Sequence, residues 1–117
     1  MIAMDCMIRA RVSVGILVAS MSLFLGMVFR DGEEAVAIME GMSAEASRTV
    51  LGGLLDALQA LRTELSVYSI AIVEGRGDET WENTWRRAHA HCAKRYDDGP
   101  GLHLTVSGLV RERTESF

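Results

Sequence analysis

Eighteen consecutive residues, Val12 to Phe29, carry no ionisable side chain, and arginines flank the run at Arg9, Arg11 and Arg30. Wound as a helix with a rise of about 1.5 Å per residue, such a run is roughly 27 Å long, close to a hydrocarbon core of about 30 Å. Flanking arginines can snorkel to cover the difference. The run therefore predicts a transmembrane helix over 12–29. The competing reading is a buried central helix of a soluble bundle, because Ser13, Gly15, Ser20, Ser22 and Gly26 dilute its hydrophobicity. A helix apolar on every face needs partners all round, however, and a short chain supplies few of them. A cleaved signal peptide fits less well, since its apolar core runs to about 7–15 residues. Ala35-Val36-Ala37, a small-residue string of cleavage type, also lies beyond a charged cluster.

With Arg9 and Arg11 before the span and only Arg30 close behind it, the positive-inside rule predicts a cytoplasmic leader over 1–11. The remainder, 31–110, becomes a small extracytoplasmic domain, with 111–117 a frayed polar tail. The formal net charge of −4 argues against bulk attraction to nucleic acid.

Asp31 and Glu34, three residues apart, form a capping-box pattern and predict a helix start. From Leu51 the apolar positions run Leu51, Leu54, Leu58, Leu61, Leu65, Tyr68 and Ile72, alternating spacings of three and four. That is a heptad seam, and its functional reading is self-association; the alternative is an ordinary helix face packed on its own chain. Gly52-Gly53 allows a bend within it. Glu74-Gly75-Arg76-Gly77-Asp78 reads as a helical-hairpin turn. A helix over about 79–96 follows, placing Trp81, Trp85, Ala88, Cys92 and Tyr96 on one packing face. Asp97-Asp98-Gly99-Pro100-Gly101 ends it. Leu102 to Val110 fits both a strand and a helix, and is read as a helix for want of an evident partner strand. The fold class predicted is all-α: one transmembrane helix, a long helix and a helical hairpin.

Candidate chemistry is sparse. His89, His91 and Cys92, with His103, are the only metal-type cluster, but on a helix His91 points away from at least one of the other two, so the three cannot converge without unwinding. No metal and no cofactor are expected. No nucleophile elbow, phosphate-binding loop or zinc motif is present, so no catalytic residue is assigned and the chain is not expected to be an enzyme. Trp81, Trp85, Arg86, Arg87, Lys94, Arg95 and Tyr96 have the residue types of a nucleic-acid surface, but the interleaved Asp78, Glu79, Glu82, Asp97 and Asp98 cancel their charge. Cys6 and Cys92 fall on opposite sides of the membrane in this topology and cannot pair within a chain.

The order of basic leader, span and heptad helix, followed by Tyr68 to Trp81 and Trp85-Arg86-Arg87-Ala88, resembles the first half of the helical-bundle extracytoplasmic sensor domains of bacterial chemoreceptors and histidine kinases. In that family further helices and a second span follow, and this chain shows neither. The function expected is that of a single-pass membrane protein acting by contact with itself or with another membrane protein. The alternatives are a truncated or stand-alone ligand-sensing bundle, in which Arg62, Arg76 or Arg86 meets an anionic ligand, and a soluble helical bundle with 12–29 buried.

Overall fold

The computed structural model describes residues 5–11, 14–61, 67–99 and 101–117. Six strands and three helices alternate as β1 (Cys6–Arg11), α1 (Val14–Leu25), β2 (Val28–Asp31), β3 (Glu34–Met39), α2 (Ala44–Leu61), β4 (Val67–Glu74), α3 (Trp81–Tyr96), β5 (Gly101–Ser107) and β6 (Glu112–Ser116). The strands form one mixed sheet in the order β2-β3-β1-β4-β5-β6, with β4 and β5 parallel and every other pair antiparallel. The first four strands with α1 and α2 make a split βαβ arrangement, extended by α3, β5 and β6. The all-α expectation is thereby overturned, and with it the likeness to a helical-bundle sensor domain.

Alternation along the strands sorts side chains to two faces. Ile8, Ala10, Ala37, Ile70, Ile72, Leu104 and Val106 pack with Met21 of α1 and Leu51, Leu54 and Leu58 of α2. On the other face Met7, Val36, Ala71 and Val73 pack with Ala88 and Cys92 of α3. With both faces covered, β4 is apolar on both sides over Ile70 to Val73 and lacks there the polar alternation by which a half-exposed strand is recognised. In Tyr68-Ser69-Ile70-Ala71-Ile72-Val73 the i, i+4 recurrence of Tyr68 and Ile72 therefore imitates a continued helical seam, although the β-branched content suits a strand.

Residues 12 and 13 of the apolar run 12–29 lie outside the described residues, and the rest is divided between two elements. Its helix spans twelve residues and stops where Gly26 turns to φ +82°; the chain then re-enters the sheet as β2. None of the described helices is long and apolar enough to cross a membrane, so the transmembrane helix and the single-pass localisation built on it are corrected. Within the segment taken for a cytoplasmic leader, Cys6–Arg11 is instead β1, paired on both sides, with Cys6 to Ala10 buried, while residues 1–4 lie outside the described residues. The segment taken for a frayed tail forms β6 against β5. Leu102 to Val110, read as a helix, contributes β5, whose partners are β4 and β6.

Asp31 to Glu34 does not start a helix. The two residues Gly32 and Glu33 join β2 to β3, with Asp31 opposite Glu34 and Gly32 at φ +62°, as glycine-first two-residue hairpins require. The helix start lies at Ser43, whose Oγ accepts from the Ala46 amide at 3.1 Å. At α3 the cap is Thr80, whose side chain accepts from the Asn83 amide at 3.1 Å.

Candidate functional site

Arg9 occupies the middle of β1, between Ile8 and Ala10, and projects onto the α3 face with no solvent exposure. A guanidinium cannot be buried there without compensating charge. The β2–β3 hairpin supplies it. Arg9 Nε donates to Glu34 Oε1 at 2.6 Å, and Nη2 donates to Asp31 Oδ2 at 2.6 Å. Glu34 is itself only 3% exposed, and its second oxygen lies 2.8 Å from His89 Nδ1 of α3. Trp85 covers the cation, its ring centroid 4.6 Å from Arg9 Cζ, and Phe29 of β2 stacks on Trp85 at 5.9 Å. Arg9 Nη1 has no hydrogen-bond partner among the described residues.

Above this network lies an open groove of about 450 Å³, lined by the hairpin together with Arg11, Trp85, Arg86 and His89. Arg11 is paired with Glu33 and lies over the Tyr96 ring at 4.3 Å. Arg86 is paired with Glu82 at 2.5 Å. Every formal positive charge around the groove therefore has an acidic partner from the same chain. The arrangement combines an aromatic wall with a balanced charged rim.

The long seam is split by the fold. Leu51, Leu54 and Leu58 face the chain's own sheet, Leu61 is the last residue of α2, Leu65 lies outside the described residues, and Tyr68 and Ile72 belong to β4. Of the α3 packing face, Cys92 is fully buried, Trp85 is half-buried over Arg9 and Tyr96 is half-buried beside Arg11. Trp81 is 42% exposed, and Thr84 takes a buried position in the same turn of the helix. Cys92 and Ser69 clasp α3 to β4: Ser69 Oγ donates to the Cys92 carbonyl at 2.6 Å and Cys92 Sγ donates to the Ser69 carbonyl at 3.3 Å.

Burial pushes the Cys92 thiol up to about 12 and that of Cys6 to about 11, so both are protonated and poor nucleophiles at neutral pH. The two cysteines share one domain, on opposite faces of the sheet, which corrects their assignment to opposite sides of a membrane. His91 faces Glu112 at 3.3 Å while His89 faces Glu34, so the two histidines diverge. Burial lowers the His91 pKa, with Glu112 opposing. Among the described residues no three His, Cys, Asp or Glu side chains are grouped as metal ligands. Of the arginines assigned to an anionic ligand, Arg86 lines the groove, Arg76 is exposed in the loop before α3 and Arg62 lies outside the described residues.

No protein-family model matches the sequence, and no curated protein matches it. Among solved structures, the FimX GGDEF domain from Pseudomonas aeruginosa is similar at a TM-score of 0.71, covering 87% of this chain and 80% of that chain. The fold resembles that of a GGDEF domain. Sequence identity over the match is 14%, so the likeness is one of architecture. Sequence reasoning missed the Arg9 network entirely. Its signals were the alternation Met7-Ile8-Arg9-Ala10-Arg11, which is that of a strand with arginines on one face, and the Asp31-Gly32 pair ahead of an apolar run, a hairpin signal.

Proposed function

We propose that this chain is a non-catalytic binding domain that acts through protein contact at its β2 side. One observation carries the reading: the carboxylates of Asp31 and Glu34 at the hairpin already have a cation, the buried guanidinium of Arg9. A carboxylate pair held in this way is not free to bind a divalent ion or to exchange a proton with a substrate. The thiols are buried and protonated, and offer no alternative nucleophile. What remains for the hairpin side is recognition. β2 is an edge strand whose outer hydrogen-bonding groups face away from the sheet, and Leu23 (79% exposed), Met27 (88%) and Phe29 (42%) crowd beside it. Such an edge suits the addition of an extended segment from a partner protein, with the apolar side chains giving affinity. The net charge of −4 offers no attraction to a nucleic-acid backbone.

Titration of the purified protein with Mn²⁺, followed by electron paramagnetic resonance, tests the carrying observation. The wild type is expected to hold no stoichiometric Mn²⁺, whereas Arg9→Met, which removes the internal cation at similar volume, is expected to gain a site that Glu34→Gln in the same background abolishes. One Mn²⁺ bound by the wild type and lost in Glu34→Gln would overturn the non-catalytic reading.

A further inference from the structure

Glu74 ends β4 on the face covered by α1 and α2, opposite in register to Cys6, and so lies at the end of β1 away from the hairpin. Its side chain is 4% exposed, and Oε1 has no hydrogen-bond partner among the described residues. A carboxylate has only acceptors, and leaving one of them buried and unmet is unfavourable. Oε1 is itself closed to solvent, but the residue as a whole is not. It forms the base of a groove of about 560 Å³ between the N-terminal turn of α2, at Ser43 to Glu45, and the turn Gly108 to Arg111 that joins β5 to β6. That turn is held by the Gly108 amide donating to the Arg111 carbonyl at 3.0 Å, and a Cβ on Gly108 would sit 3.4 Å from Glu74 Oε2. The glycine therefore keeps the approach to the carboxylate open.

The walls are chemically distinct. Leu109 is 50% exposed and Val110 96%, giving the groove an apolar lip. Arg113 is occupied by Glu45, with a second contact at 3.0 Å, and by Glu115 at 3.4 Å. Arg111, also lining the groove and exposed, acts on Glu45 through its charge but is in none of the ion pairs among the described residues. One groove thus holds a nearly buried acid at its base, a guanidinium outside any ion pair at its rim and an apolar lip. A metal ion is poorly served there, because the second acid on the wall, Glu45, is taken by Arg113.

We infer that this groove binds a zwitterionic small molecule of the apolar α-amino-acid class, its ammonium on Glu74, its carboxylate on Arg111 and its side chain against Leu109 and Val110. The site is separate from the hairpin groove in both position and face, and does not depend on the contact function proposed there.

Isothermal titration with L-leucine as the probe tests it, with thermal melts confirming that each variant is folded. The wild type is expected to bind one equivalent at millimolar concentration or tighter, and Glu74→Gln to weaken binding about tenfold or more. 4-Methylpentanoate, which lacks the ammonium, and L-leucine methyl ester, which lacks the carboxylate, are both expected to bind more weakly than L-leucine. Arg111→Ala, in an exposed turn where folding is not at stake, should make the ester and the free amino acid equivalent. Absence of binding to the wild type, or undiminished binding to Glu74→Gln, would overturn the inference. Binding that appears only in Arg111→Ala would overturn it too, since Arg111 would then be closing over Glu74 itself.

Discussion

Arg87 and Glu79 show how single residues fasten α3 to the sheet. Arg87 reaches Glu79 with two nitrogens at 2.7 and 3.1 Å, the Glu74 carbonyl at 2.8 Å and Ser107 Oγ at 2.9 Å, joining the start of α3 to the ends of β4 and β5. Hydrogen bonding from Arg87, aided by Thr84, holds the Glu79 carboxyl at about 2 against an ordinary 4.5. A carboxyl whose pKa is lower in the folded state stabilises the fold fully above its unfolded value, and that stabilisation is lost as pH falls through the folded one. The contribution is therefore intact above about 4.5 and gone near 2. Glu79→Gln should cost about 1.5–3 kcal/mol at pH 7, the usual range for hydrogen bonds to a charged group. Urea melts of both proteins at pH 7 and near pH 2 check this: the difference should shrink towards zero in acid, and an equal difference at both would contradict the assignment. At this scale the sequence was least legible. Arg9 and Glu34 are twenty-five residues apart and are brought together by strand register, while Arg87 and Glu79, eight apart, meet across the turn that begins α3; no local pattern displays either.

Element by element, the inward faces of α2 and α3 showed in the sequence, whereas α1 was merged into a longer run and the strands were not recognised. Leu51, Leu54 and Leu58 do mark the buried face of α2, and Trp85, Ala88 and Cys92 the inner side of α3, because a helix covering one face of a sheet keeps its polar face outward. A strand covered on both faces loses that contrast, so Val67 to Val73 was drawn into the preceding helix; β1 does alternate, but Arg9 and Arg11 beside an apolar run read as the flank of a span. The glycine pair in α2 separates propensity from packing. A Cβ on Gly52 would meet nothing within 4 Å, whereas one on Gly53 would sit 2.9 Å from two ring carbons of Phe24 in α1. Gly52→Ala should therefore stabilise the protein by about 0.5–1 kcal/mol, the full helix-propensity gain. Gly53→Ala should gain less or lose, because the Phe24 ring must leave its place. Equal stabilisation of the two variants in denaturant melts would mean that α1 does not cross α2 at Gly53.

For the whole molecule, the decisive difference between the sequence reading and the structure is the role of the first thirty residues. An uncharged run of eighteen residues satisfies the length of a membrane span, yet here it is a twelve-residue helix on one face of a sheet and an edge strand beside it. The charged residues that bracketed the run as flanks of a span, Arg9 and Asp31, are brought together as an ion pair across three strands. A chain organised in this way has a gradient of protection set by sheet order, since strands paired on both sides open only with global unfolding and edges open locally. Amide hydrogen exchange of the native protein, resolved by residue, reads that gradient directly. The account expects the amides of Ile8 to Ala10 in β1 to exchange as slowly as those of Ile70 to Ile72 in β4, and those of β2 and β6 to exchange faster. Rapid exchange throughout Cys6 to Arg11, with slow exchange continuous from Val14 through Phe29, would contradict the sheet and restore a single long helix.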